Sequence, residues 1–129
     1  MIPKYRIYCY EAQEMIVARD YRELAELFAG LDADDSIFSE PMQSTGLFDD
    51  STPKKEIFEG DIVETIYNGE LFTGVIVYDQ EETGFKATNG RDEYGNNFCY
   101  LGGNDSNMVI GNIYQNPELL KEVGNDTEV

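Results

Sequence analysis

The residues with the types to do chemistry are two cysteines, 26 carboxylates and nine tyrosines, and no histidine accompanies them. Without an imidazole, the Ser-His-Asp and Cys-His nucleophile arrangements are absent, as are His-built zinc and iron sites. A general base would have to be a carboxylate, a Lys or a Tyr. Acidic pairs are so plentiful that no single pair stands out. Nothing orients two of them across a cleft, as glycoside hydrolysis requires. The best metal candidate is Asp32-Ala33-Asp34-Asp35-Ser36. It fails as an EF-hand loop, because Ile37 stands where glycine is needed and Gln43 where the bidentate Glu belongs. Cys9 and Cys99 sit among Tyr and Phe neighbours with no CxxC spacing. They read as buried free thiols of a reducing cytosol, with a disulfide as the alternative. No phosphate-loop lysine motif or G-x-G-x-x-G occurs, so nucleotide binding has no support. The expectation is a protein that is not an enzyme, with no catalytic, cofactor-binding or metal residues and no cofactor.

Nine basic residues against 26 acidic ones give a net charge of −17. That field repels nucleic-acid phosphate and anionic membrane surfaces. Lys54-Lys55 is the only basic pair, so direct nucleic-acid binding is not expected. The acidity reads first as solubility, and second as a lure for a basic partner or an imitation of DNA. No apolar run approaches the length of a bilayer span. The start, Met1-Ile2-Pro3-Lys4-Tyr5-Arg6, lacks the apolar segment of a signal peptide. The expected location is the cytoplasm.

What must position these residues is a small β-rich fold. The 129 residues suit one domain, or one with an appendage, and the 41% hydrophobic content supplies a core. Lys4–Tyr10 and Glu14–Arg19 read as an N-terminal hairpin turning at Glu11-Ala12-Gln13. Asp20 with Glu23 forms a capping box, and Leu24, Leu27, Phe28 and Leu31 fall at helical spacing. This predicts a helix over Tyr21–Ala29, weakened or ended by Gly30. Asp32–Ser44 reads as an acidic, irregular connection, and Thr45-Gly46-Leu47 as a turn and loop. Strands follow at Ile62–Ile66, Leu71–Tyr78, Phe85–Thr88, Phe98–Leu101 and Met108–Tyr114. Asn68-Gly69 predicts a type I′ hairpin turn, and Gly74 a bulge or bend. Loops are expected at Asn89-Gly90 and Tyr94–Asn97. Asn116 reads as a cap with Pro117 at the first position of a closing helical turn. Tyr67, Phe72, Tyr78, Phe85 and Tyr94 are candidates for an aromatic groove for peptides, against a reading as core or sheet surface.

Four blocks carry a resemblance: Met42–Leu47, Glu56–Val63, Gly74–Asp79 and Val109–Leu120. Together they resemble the YopX family of phage and prophage proteins, best over Met42–Leu120. The N-terminal hairpin is similar to that family's opening strands, although Tyr8–Glu11 lacks the Trp and Asp that often follow the first strand. The resemblance implies a smaller N-terminal part followed by a C-terminal SH3-type roll, and a gene carried by a bacteriophage or prophage. It implies no activity and no site residues.

The expected fold class is mainly β (α+β): a small SH3-type β-roll or barrel preceded by an N-terminal β-hairpin and short helix. The expected divisions are 1–38, a hairpin and helix subdomain; 39–120, the YopX-like roll; and 121–129, a flexible acidic tail. The expected function is that of a phage or prophage accessory protein of unknown molecular function, a non-enzymatic protein–protein interaction module. Its partners would be a second copy of the chain, through exposed strand edges, and an unknown host or phage protein. The alternative is an acidic DNA mimic that inhibits a host DNA-binding enzyme.

Overall fold

A computed structural model describes residues 4–67, 69–88, 98–100 and 106–120. The predicted loops at Asn89-Gly90 and Tyr94–Asn97, the residue Asn68 and the tail 121–129 lie outside the described residues. The architecture is mainly β, built from antiparallel strands with a short helix near the start. The chain divides into two compact units, Met1–Ser44 and Thr45–Val129.

The first unit opens with the expected hairpin. Strand β1 (Tyr5–Cys9) pairs antiparallel with β2 (Glu14–Ala18), with Ile7 opposite Ile16. The turn rests on Gln13, whose φ of +58° lets its amide donate to the Cys9 carbonyl. Helix α1 (Tyr21–Ala33) begins at the expected cap: the Glu23 amide donates to Asp20 Oδ1, while Glu23 Oε1 reaches one residue further back than in a capping box and accepts from the Arg19 amide. Gly30 does not end it. The helix runs on to Ala33 and stops at Asp34, whose backbone is extended and whose amide still donates to the Gly30 carbonyl. Leu27 is buried with Ile7 and Ala18, and Leu24, Leu31 and Phe38 pack around them. Phe28, from the same stripe, stays 40% exposed and meets the Tyr5 ring edge-on.

The segment read as an irregular connection is more ordered than its composition suggests. A 3-10 turn covers Asp35–Ile37, and Ile37–Ser39 lies along β1. The Ser39 amide donates to the Tyr8 carbonyl, and the Tyr8 amide donates to Ser39 Oγ. Strand β3 (Met42–Phe48) then begins, pairing Met42 and Gln43 with β1. Thr45-Gly46-Leu47 is therefore strand rather than turn. The turn-like signal was a residue with φ of +79°, Gly46, set within the strand.

In the second unit β4 (Glu56–Phe58) follows a loop and lies beside β3. Thr45 Oγ1 donates to the Ile57 carbonyl. A five-stranded antiparallel sheet then forms from β5 (Asp61–Tyr67), β6 (Glu70–Asp79), β7 (Gly84–Thr88), β8 (Phe98–Tyr100) and β9 (Ser106–Asn112). Its order is β8-β7-β6-β5-β9. The Glu59-Gly60 turn is tied on both sides: Phe58 N donates to Asp61 Oδ2 at 2.8 Å, and Gly60, at φ +85°, donates to the Ile76 carbonyl. Gly69 takes φ of +79° in the β5–β6 hairpin, as the I′ reading demands. The turn before β7 takes its left-handed residue at Thr83, φ +53°.

No bulge falls at Gly74. Gly74 pairs in register with Val63, and the shift falls on β9, where Ile62 faces Gly111 and Val63 faces Val109. Ile110 is thus the extra residue of a bulge. The last strand ends at Asn112, two residues short of the expected Tyr114.

Val63, Ile76, Ala87 and Ile57 form the core of this unit, with Phe72, Phe85 and Val109 against it. Thr65 is 1% exposed, and its hydroxyl finds no partner among the described residues. Thr65→Val keeps the shape and removes the orphaned hydroxyl. It is expected to be neutral or to stabilise by about 1 kcal/mol in urea unfolding; a loss of that size would show that the hydroxyl is paired.

Candidate functional site

The Asp32–Ser36 loop is used locally. Asp34 Oδ1 accepts from the Ser36 amide at 3.0 Å and the Ser36 hydroxyl at 2.6 Å. The same two bonds hold its carboxyl below the ordinary carboxylate pKa. No group of three or more potential metal ligands converges among the described residues. Cys9 is a buried free thiol, with Sγ accepting from the Ala12 amide at 3.4 Å. Of the aromatic-groove candidates, Phe72 and Phe85 pack against the core, and Tyr78 stacks edge-on upon Phe85 at 5.1 Å. Phe72 and Phe85 are thus partly buried, while Tyr78 stays 42% exposed. The side chains of Tyr67 and Tyr94 lie outside the described residues.

The residues that organise the second unit are ones the sequence did not single out. Asp49 is fully buried in the loop between β3 and β4. Its Oδ1 accepts from the Lys55 amide at 2.8 Å and from the Ser51 hydroxyl and amide at 2.6 and 3.1 Å. Its Oδ2 accepts from the Val109 amide at 2.9 Å. Beside it the Asp50 amide donates to the Asn107 carbonyl, and Asp50 Oδ2 accepts from the Asn107 amide. The loop therefore occupies the outer edge of β9, which is not open for pairing with another chain. Burial alone would push the Asp49 carboxyl up, but the Ser51 hydroxyl and the Lys55, Val109 and Ser51 amides outweigh it and lower the pKa to about 2.

Asn112 performs the same service at the end of β9. Its Oδ1 accepts from the Tyr114 and Gln115 amides, and its Nδ2 donates to Gln115 Oε1. Asn116 Oδ1 turns back to accept from the Asn112 amide. Only glycine fits at position 111, since a Cβ there would lie 2.6 Å from Asn116 Oδ1. The Val109-Ile110-Gly111-Asn112 block and its Asn116-Pro117 sequel are thus a bulge and a clasp.

Exposed apolar groups among the described residues include one on the second unit's sheet and one beside a cleft of the first unit. On the face of the five-stranded sheet opposite its core, Ile66 stands across from Leu71 and Glu64 across from Met108. Leu71 is 64% exposed and Met108 37%. In the first unit, a cleft of about 310 Å³ opens between α1 and the hairpin, floored by Ile7, Ile16, Ala18, Leu27 and Phe38. Glu23 and Glu26 stand exposed at its edge.

The family model described as YopX protein matches residues 1–121 of the chain. No curated protein matches it. Among solved structures, the chain is similar to the crystal structure of protein EF1440 from Enterococcus faecalis, at 21% sequence identity and a TM-score of 0.51. The likeness covers 93% of this chain and 99% of that one, and it concerns the fold. Among the described residues no helix is long and apolar enough to cross a membrane.

Proposed function

The chain belongs to the YopX protein family, and on that footing we propose a phage or prophage accessory protein that acts through protein–protein contact, catalyses no reaction and associates with itself. Its place of work is the cytoplasm of the host bacterium. The observation that carries self-association is the exposed Leu71 and Met108, with the half-buried Ile66, on the outer face of the five-stranded sheet, where Glu64 is the charged residue beside them. Leu71 and Met108 share one face with Ile66, and burial of this group against a second copy recovers its hydrophobic contribution. The patch replaces the β9 edge as the contact, because Asp49 and Asp50 close that edge.

Two copies at −17 each repel one another. Association is therefore expected to strengthen as salt screens the charge, opposite to an ion-paired interface. Sedimentation velocity at low and high salt reads this directly, and Leu71→Glu is expected to abolish it without loss of folding. A strict monomer at high protein and salt concentration would defeat self-association. The DNA-mimic reading has less support. Asp20, Asp34, Asp49, Asp61 and Asp79 hold backbone amides of their own loops and turns, and Asp50 holds the Asn107 amide of β9, which accounts for those charges by folding.

A further inference from the structure

The cleft of the first unit contains a glycine that the fold does not need. Gly30 lines it, within a helix that continues for three more residues. Gly30 does not take positive φ, and an added Cβ would meet nothing within 4 Å. A glycine in a helix interior destabilises relative to alanine and is otherwise explained by a close approach or a special turn. Neither exists here among the described residues. The same helix end carries Asp32 and lacks any basic residue in its last turn, so it is weak twice over. The other walls are apolar, and the charged residues lining the cleft, Glu23 and Glu26, are both acidic.

We propose that this cleft receives an apolar side chain from a protein partner whose neighbouring residues are Lys or Arg, with Gly30 leaving room for the partner's backbone to approach. The inference rests on the reading of the chain as an interaction module, but on a surface separate from the self-association patch. The floor supplies the burial, and the Glu pair selects the charge of the visitor. An acidic partner meets both the local carboxylates and the −17 of the whole chain.

The test uses the full chain and two synthetic peptides, acetyl-Lys-Leu-Phe-Lys-amide and its counterpart with Glu in place of Lys, followed by amide chemical shifts. The basic peptide is expected to shift the amides of Ile16, Ala18, Leu27 and Gly30 saturably, and the acidic one to bind about tenfold more weakly or not at all. Glu26→Gln should weaken the basic peptide about threefold and flatten its salt dependence. Gly30→Ala is the decisive variant: it should raise the unfolding temperature by about 3 °C yet weaken the peptide. Absence of saturable shifts at millimolar peptide, equal binding of both peptides, or unchanged binding by Gly30→Ala each overturns the proposal. Sedimentation of the same samples separates the outcomes, since a monomer that binds the peptide keeps the cleft and loses only self-association.

Discussion

Asp49→Ala is expected to destabilise the second unit by about 2 kcal/mol at neutral pH, because the part-buried Val109 and Lys55 amides lose their acceptor together. Urea unfolding followed by tyrosine fluorescence measures it. The effect has a pH signature that a merely space-filling residue would not show. The carboxyl titrates at about 2 in the folded chain against 3.8 ordinarily. A lowered folded-state value means that the contribution is fully present above about pH 4 and is lost as pH falls through 2. That shift corresponds to about 2 kcal/mol. The stability gap between the natural chain and Asp49→Ala should therefore be widest near neutrality and narrow steadily between pH 4 and 2. A gap independent of pH across that window would show that Asp49 acts through packing alone.

The second large effect belongs to Gly74. A Cβ there would stand 2.9 Å from the Thr88 carbonyl oxygen and 2.7 Å from the Phe72 ring. The ring can give way; the Thr88 backbone cannot, because Val75 pairs with Thr88 in the β6–β7 ladder. Gly74→Ala is expected to cost about 2 kcal/mol, and Gly74→Val more. Gly84→Ala is the control. Its Cβ would meet only the Glu82 carbonyl at an ordinary 3.9 Å, and its effect on the urea midpoint should be small. Equal losses at the two glycines would mean that general strand flexibility, not the approach of β7, dictates Gly74.

The parts of this fold that could be read from the sequence are those whose signals are local. The hairpin of β1 and β2, the helix cap at Asp20 and the Asn68-Gly69 hairpin each declare themselves within a few residues. Gly30 misled because glycine after an apolar stripe resembles a helix terminator, whereas the hydrogen bonds continue to Asp34. Gly46 misled in the opposite sense, since a left-handed glycine inside a strand looks like a turn in sequence. Gly74 reads as a bulge or bend, and the bulge falls instead at Ile110, because close approach of the Thr88 backbone leaves no trace in the chain around it. Asp49 was the deepest omission. Among 26 carboxylates it has no distinguishing neighbour, and the amide that makes it structural lies 60 residues away. The candidate surfaces were illegible for a related reason: Ile66, Leu71 and Met108 come together only through the registers of β5, β6 and β9.

The clasp between Asp49 and Val109 also imposes an order on the life of the newly made chain. Asp49 leaves the ribosome 60 residues ahead of the amide it finally binds, and every strand from β4 to β8 is made in the interval. Until β9 follows, β5 lacks one of its two neighbours and the Asp49 carboxylate stays hydrated. The hairpin and helix of the first unit need no such wait, since their contacts close within the first 44 residues. Contacts of the first unit can thus close early in synthesis, whereas those of the second are complete only once its final strand is made, so a chain cut short before Ser106 is expected to forfeit the clasp.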